Sequence, residues 1–320
     1  MRKKIDWSKY KFRSSQCHKL LTGDIVDVSV YQERINELKN ERDNLVNKNG
    51  NKVKWTDAKN KELEKLEKLA STPLFERLPK TMTSFLRELH RAETLQRNFN
   101  ESNDYTEKGI QQEEEAITIY QYYRNRVLGI RTFFINNKER LENEYITGEA
   151  DLTDTNDFKK CNEGFDTKCS FELKTFPMKG DKISKEYDIQ NQCYMWLTNT
   201  KKWTTAKILV NCLESYLFRK KLNLANVMGQ TEHGQLNYDR YVEKCKELEK
   251  RYIFDYDRFM EDNPMHDIEI TREEWFENGY DLDIEDRVVE QESEFNQELV
   301  NELKKRIKIA RKYLINLDKI

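Results

Sequence analysis

Gly164-Phe165-Asp166-Thr167-Lys168-Cys169 is the stretch that decides how this chain reads. Gly148-Glu149-Ala150-Asp151 stands before it and Gln190-Asn191-Gln192-Cys193-Tyr194 after it. Gly164 to Cys169 has the texture of a short strand following a turn. Side chains two apart on a strand lie on one face, so Asp166 and Lys168 point together. Asp151, after a glycine turn at the end of a neighbouring strand, completes a carboxylate pair. Phosphodiester cleavage needs a water deprotonated near neutral pH and a phosphate of extra negative charge stabilised. Mg²⁺ held by two or three carboxylates serves both needs. A lysine beside the attacking water positions it. The carbonyl of Thr167 offers a further oxygen ligand.

Working outward, Ala206-Lys207-Ile208-Leu209-Val210-Asn211-Cys212 is an apolar, β-branched run of the kind that forms a buried strand. Ile189 to Leu197 reads as a helix between the two strands, and Glu113 to Tyr123 as a helix entering the core. The flanks are helical. Ile35, Leu38 and Leu45, then Leu63, Leu66 and Leu69, recur at helical spacing around the break Asn47-Lys48-Asn49-Gly50-Asn51, which reads as a solvated hairpin. Phe295, Leu299, Leu303, Ile307, Ala310, Leu314 and Leu317 form one apolar stripe, so a C-terminal helix is expected from Phe295 to Leu317.

The ordered set Gly148 to Asp151, Phe165 to Lys168, Phe176-Pro177 and Tyr187 to Thr198 resembles the phage branch of the PD-(D/E)XK nucleases, which includes lambda exonuclease and the YqaJ-like viral recombinases. Gln190 and Tyr194 also fit the Gln-x-x-x-Tyr motif of RecB-like nucleases, and Gly109 to Glu113 with Ala116 resembles the first motif. The likeness covers residues 106–212. It implies an α/β fold, a restriction-endonuclease-like core with a central mixed sheet, flanked by N- and C-terminal helices. The expected division is 1–105 helical, 106–225 nuclease core and 226–320 helical.

The resemblance also implies roles. Asp151, Asp166, Glu113 and the Thr167 carbonyl would hold Mg²⁺, with Mn²⁺ able to substitute. Lys168 would act on the nucleophilic water, Gln190 would orient groups around the site, and Tyr194 would contact DNA or brace it. Arg13, Ser14, Ser15 and Gln192 are placed among the DNA-contacting residues. The implied activity is digestion of linear duplex DNA ends for phage recombination, with a single-strand annealing protein as a partner and an oligomer allowed. Glu172-Leu173-Lys174 is a second candidate for the Asp166-to-Lys168 motif, and Asp166 is preferred because a Ser and a Phe-Pro follow it.

Composition narrows the alternatives. The 320 residues are 36% charged but carry a net charge of only −2, so any DNA-binding charge must be local. Lys3, Lys4, Lys9, Lys11 and Arg13, and the run Arg219-Lys220-Lys221, are the candidate patches. No apolar run is long enough to span a bilayer, and Met1 to Trp7 is not a signal peptide. The expected location is the cytoplasm of a bacterial host. Six scattered cysteines and four unpaired histidines point to reduced thiols, no iron–sulfur cluster and no zinc site. Two other readings stay open: another RecB- or Cas4-like nuclease, and a non-catalytic helical DNA-binding protein.

Overall fold

The computed structural model describes residues 3–46, 49–52, 54–97, 109, 111–131, 134–136, 139–150, 152–155, 160–170, 172–231 and 237–319. The elements begin with β1 (Phe12–Arg13), α1 (Val28–Asn44), α2 (Asp57–Ser71), α3 (Lys80–Leu95) and α4 (Glu113–Tyr122). Five short or central strands follow, β2 (Ile135–Asn136), β3 (Arg140–Glu142), β4 (Ile146–Glu149), β5 (Leu152–Thr153) and β6 (Glu163–Ser170). Then come α5 (Lys185–Thr198), β7 (Lys202–Leu209), α6 (Glu214–Thr231), α7 (Tyr238–Tyr252), α8 (Tyr256–Asp262), α9 (Arg272–Glu277), α10 (Ile284–Arg287), β8 (Val288–Glu294) and α11 (Gln297–Leu317).

Two compact units divide the chain. One holds residues 1–12, 16–98 and 301–320; the other holds 13–15 and 99–300. Residues 226–300, expected as part of a separate helical region, fall in the same compact unit as the expected core. The reason is β8, which pairs with β7 and makes residues beyond 225 part of the central sheet. Its sequence, rich in glutamate at alternate positions, does not announce a core strand.

In the first unit, α1 and α2 form the expected hairpin around Ile35, Leu38 and Leu63. Caps define their starts: Asp27 accepts from Ser29 N, and Thr56 from Lys59 N. Exposed pairs such as Arg34–Glu62 and Lys39–Glu67 lace the solvent face and add little stability each. The C-terminal stripe is buried within its own chain, with Leu303, Ile307, Ala310 and Leu314 wholly enclosed. Arg306 and Arg311 are drawn inward with it, donating to Gly23 O and Tyr10 O.

In the second unit, a mixed sheet runs in the order β2-β5-β6-β7-β8. Only β6 and β7 are parallel within it, and α5 makes the crossover that a parallel pair requires. A separate antiparallel ladder joins β3 to β4. One face of the sheet is covered by α4, whose Ala116 and Tyr120 join Phe165, Ala206 and Ile208 in an apolar core. Three glutamates in its first turn suit the positive end of the helix dipole.

The other face is covered by α5. Ser184 caps it by accepting from Tyr187 N, and Asn199 in the left-handed region ends it. Three of its side-chain amides are wholly or nearly buried. Asn191 bonds both Thr205 Oγ1 (2.9 Å) and Ser293 Oγ (3.2 Å), and Ser293 Oγ donates to Asp188 (2.7 Å). Gln192 donates to Glu294 O and accepts from Asn296 N, both at 2.7 Å. Helices α6 to α9 pack around Leu217, Tyr252, Ile253, Phe259 and Trp275. Among the described residues no helix is long and apolar enough to cross a membrane.

Gly164 shows how closely α5's face of the sheet is filled. A Cβ there would sit 2.1 Å from Cζ3 of the fully buried Trp203, directly opposite on β7. Gly164→Ala is expected to lower stability by about 1–3 kcal/mol through overpacking, read as a drop in thermal midpoint. An unchanged midpoint would contradict this packing.

Candidate active site

Strand β6 places its residues alternately on the two faces of the sheet. Phe165 packs toward α4. Asp166 and Lys168 face α5 together, as the two-residue spacing predicts. Lys168 Nζ lies 2.7 Å from Asp166 Oδ2. Asp166 is 0% exposed, yet neither carboxylate oxygen receives a hydrogen bond of acceptable geometry. A buried carboxylate is costly unless hydrogen-bonded and paired. The one ammonium approaches Oδ2, and Oδ1 is left without a polar partner among the described residues.

The alternative motif is not so arranged. Glu172 and Lys174 lie past the end of β6, in a short turn at Leu173–Thr175. Glu172 is bound by Arg251, and Lys174 is exposed. The structure pairs Asp166 with Lys168 and pairs Glu172 with Arg251.

The remaining candidates are distributed as follows. Asp151, the residue before β5 in sequence, lies outside the described residues. Gly148 sits within β4 rather than in a turn, and the strand beside β6 is β5, with Leu152 opposite Phe165. Glu113 opens α4 on the opposite face from Asp166. Cys169 Sγ donates to Gln112 O at 3.6 Å, which brings that helix start beside the end of β6. No hydrogen bond or ion pair joins Glu113 to Asp166 among the described residues. Thr167 turns its side chain away from Asp166, with its hydroxyl buried and unpartnered. Gln190 Nε2 donates to Tyr194 OH at 2.8 Å, and both are buried. Tyr194 packs on Trp203 and against Gly148.

Ser14 also touches that corner. It is buried, donates to Thr147 O at 3.1 Å, and its Oγ would lie 2.4 Å from a Cβ at Gly148. Arg13 and Ser15 are exposed. Gln192 is a correction: it is 2% exposed and both ends of its amide hold β8 and the turn after it, so it cannot reach DNA. Lys221 is another. It is buried against the wholly buried Glu249, with Nζ–Oε1 at 2.6 Å, and does not belong to a surface patch.

One residue escaped the sequence reading. Lys207 sits directly opposite Lys168 in the parallel register of β6 and β7. Its Nζ is 3.9 Å from the centroid of the Tyr187 ring, and Lys168 Nζ is 5.7 Å from the same ring. Among the described residues Lys207 makes no hydrogen bond and no ion pair. Burial, and then the neighbouring Lys168, push its ammonium down to about 8. The signal was a lysine inside the apolar run from Ala206 to Cys212.

No protein-family model matches the chain, and no curated protein is found as a relative. Among solved structures, the phage-related exonuclease from Haemophilus somnus 129PT is similar over 97% of this chain and 96% of its own, at 22% identity and a TM-score of 0.53. The alkaline exonuclease LHK-Exo from Laribacter hongkongensis matches over 74% of this chain and 81% of its own, at 11% identity and a TM-score of 0.40. LHK-Exo in complex with dAMP matches at 12% identity over 76% and 84%, with a TM-score of 0.39.

The depressed Lys207 has a consequence for stability. Its folded pKa lies below its unfolded one, so the unfolded chain binds more protons between about pH 8 and 10.5. The destabilisation is complete below pH 8 and fades as pH rises through that window. Lys207→Met is therefore expected to raise stability by about 1–2 kcal/mol at pH 7, after discounting for partial exposure, and by much less near pH 10.5. Denaturant titrations at the two pH values check this; a variant less stable than wild type at pH 7 contradicts it.

The near-complete coverage by a fold with a mixed sheet and flanking helices agrees with the expectation drawn from the motifs: this chain has the α/β fold of a phage-related exonuclease.

Proposed function

We propose that the chain is a Mg²⁺-dependent DNA exonuclease acting on linear duplex ends. The observation that carries this reading is Asp166. It is a wholly buried carboxylate whose two oxygens lack hydrogen bonds, with Lys168 two residues along the same strand face. Hard oxygen donors of this kind suit Mg²⁺ better than zinc or a soft metal. The described residues contain no ready group of three Asp, Glu, His or Cys side chains. Asp151, Glu113 and the Thr167 carbonyl are the further ligands in this reading. The bound metal would lower the pKa of water and offset charge on the phosphate.

The chain's own residues supply the rest. Lys168, held beside Asp166, orients the attacking water and offers its ammonium to the phosphate. The bonds of Asn191 to Thr205 and Ser293, and of Gln192 to the backbone at Glu294 and Asn296, keep α5 fixed over the sheet, so the two groups stay in one geometry. Exposed Arg13 and Ser15 are the N-terminal candidates for contact with DNA. A role in phage recombination, with an annealing protein receiving the single strand, follows from the same reading.

End-labelled linear DNA and closed circular DNA, incubated with and without Mg²⁺, test the activity. Linear DNA is expected to be degraded only with metal, and circular DNA to survive. Metal-independent cleavage, or equal loss of the circle, would overturn the assignment. Lys168→Ala is expected to reduce cleavage by about 10²–10³-fold, the scale for losing one charge-stabilising donor, while DNA binding persists. Near-wild-type turnover by that variant would remove Lys168 from the mechanism.

A further inference from the structure

Beside Asp166 and Lys168 lies a cleft of about 390 Å³ that the proposed hydrolysis does not use. Its wall includes Ser170 at the end of β6, Lys207 on β7, Asp181, Lys182 and Ser184 from the connection into α5, and Tyr187 in the first turn of α5. Lys207 is the unusual member. It is partly buried, has no anionic partner among the described residues, and stands next to a second ammonium. Its ammonium lies over the face of Tyr187, and the carboxylates of Asp166 and Glu186 attract it without forming an ion pair with it. Lys168 already has the carboxylate of Asp166. Asp181 also lines the cleft, where its Oδ2 accepts from Met178 N, and it forms no ion pair with Lys207 among the described residues.

Lys168 and Lys207 stand side by side, and the carboxylate in direct contact, that of Asp166, is bound to Lys168, so Lys207 keeps an ammonium that no carboxylate touches among the described residues. That arrangement is unfavourable in the free protein and favourable once an anion enters. The surrounding groups suit an oxyanion: Lys182 is exposed at the rim, serine hydroxyls line the wall, and the N-terminal end of the fourteen-residue α5 faces the same space.

We propose that Lys207 is the principal cation of a second phosphate subsite, which takes an internal backbone phosphate flanking the one that is cleaved. This rests on the nuclease reading for its substrate but makes a separate claim about binding. The subsite fixes the strand by a phosphate on one side of the reacting bond, so the bond is presented to Lys168 in one register. Phosphate contacts of this kind position a strand without reading its sequence.

The test measures binding, with Ca²⁺ in place of Mg²⁺ so that cleavage does not intervene. Wild type, Lys207→Met and Lys207→Arg are titrated with short duplexes at several salt concentrations. Lys207→Met is expected to bind about tenfold more weakly at low salt, with a salt slope reduced by about one, and Lys207→Arg to restore most of both. Substituting one neutral methylphosphonate at a time along the strand is expected to find a single internal position where wild type and Lys207→Met bind equally.

Equal affinity and equal salt slope for wild type and Lys207→Met would overturn the subsite. So would a difference that no methylphosphonate removes. A difference that vanishes only when the terminal 5′-phosphate is replaced by a hydroxyl would overturn the internal assignment. Folding is controlled by thermal midpoint: a purely structural lysine would lose stability on substitution, whereas removing this unpaired charge is expected to leave stability equal or higher. The two readings fail separately. A chain that digests DNA while Lys207→Met binds normally loses the subsite alone. A chain that binds DNA through Lys207 and never cleaves it loses the nuclease assignment alone.

Discussion

The docking of α5 through buried side-chain amides is the constraint on which the site depends. Asn191 bridges Thr205 on β7 and Ser293 on β8, and Gln192 clamps the backbone at Glu294 and Asn296. An apolar helix face would slide among several equivalent packings. A set of buried amides has one arrangement in which every donor and acceptor is used, and leaving one orphaned costs about 1–3 kcal/mol. The register of α5 over the sheet is thereby determined. Tyr187 falls above Lys168 and Lys207, and the cleft opens between the helix start and the strand ends.

Charge placement on that face runs against stability. Asp166 is buried without hydrogen bonds, and Lys207 is held below its usual range by burial and by Lys168. A core selected for stability alone would put apolar residues at these points, as the opposite face does with Phe165, Ala206 and Ile208. The contrast between the two faces of one strand pair separates scaffold from site. Residues in energetically poor positions are the ones expected to be doing chemistry or binding.

Local pattern carried much of this into the sequence. Asp166 and Lys168 could be paired in advance because the strand repeat of two is a local rule. Residues 189–197 read as a helix, and the C-terminal stripe was visible from its spacing. What escaped was non-local. Lys207 meets Lys168 only through the parallel register of β6 and β7, which the sequence does not state. Gln192 was placed among the DNA-contacting residues, but a motif on a helix does not say which side chain turns to the sheet. Lys221, in a run of three basic residues, turns inward to Glu249 by a pairing 28 residues away. β8 went unread because glutamates at alternate positions mask a strand that closes the sheet. Asp151 lies outside the described residues, so the second carboxylate rests on the motif.

The proposed cleavage rests on Asp166 being a ligand for a divalent cation. Crystals grown with Mn²⁺ and measured at the manganese absorption edge address that directly. The expected result is an anomalous peak in direct contact with the Asp166 carboxylate, absent when the same crystals are made from Asp166→Asn. A well-ordered site with no such peak, and Asp166 bound by Lys168 alone, would contradict it.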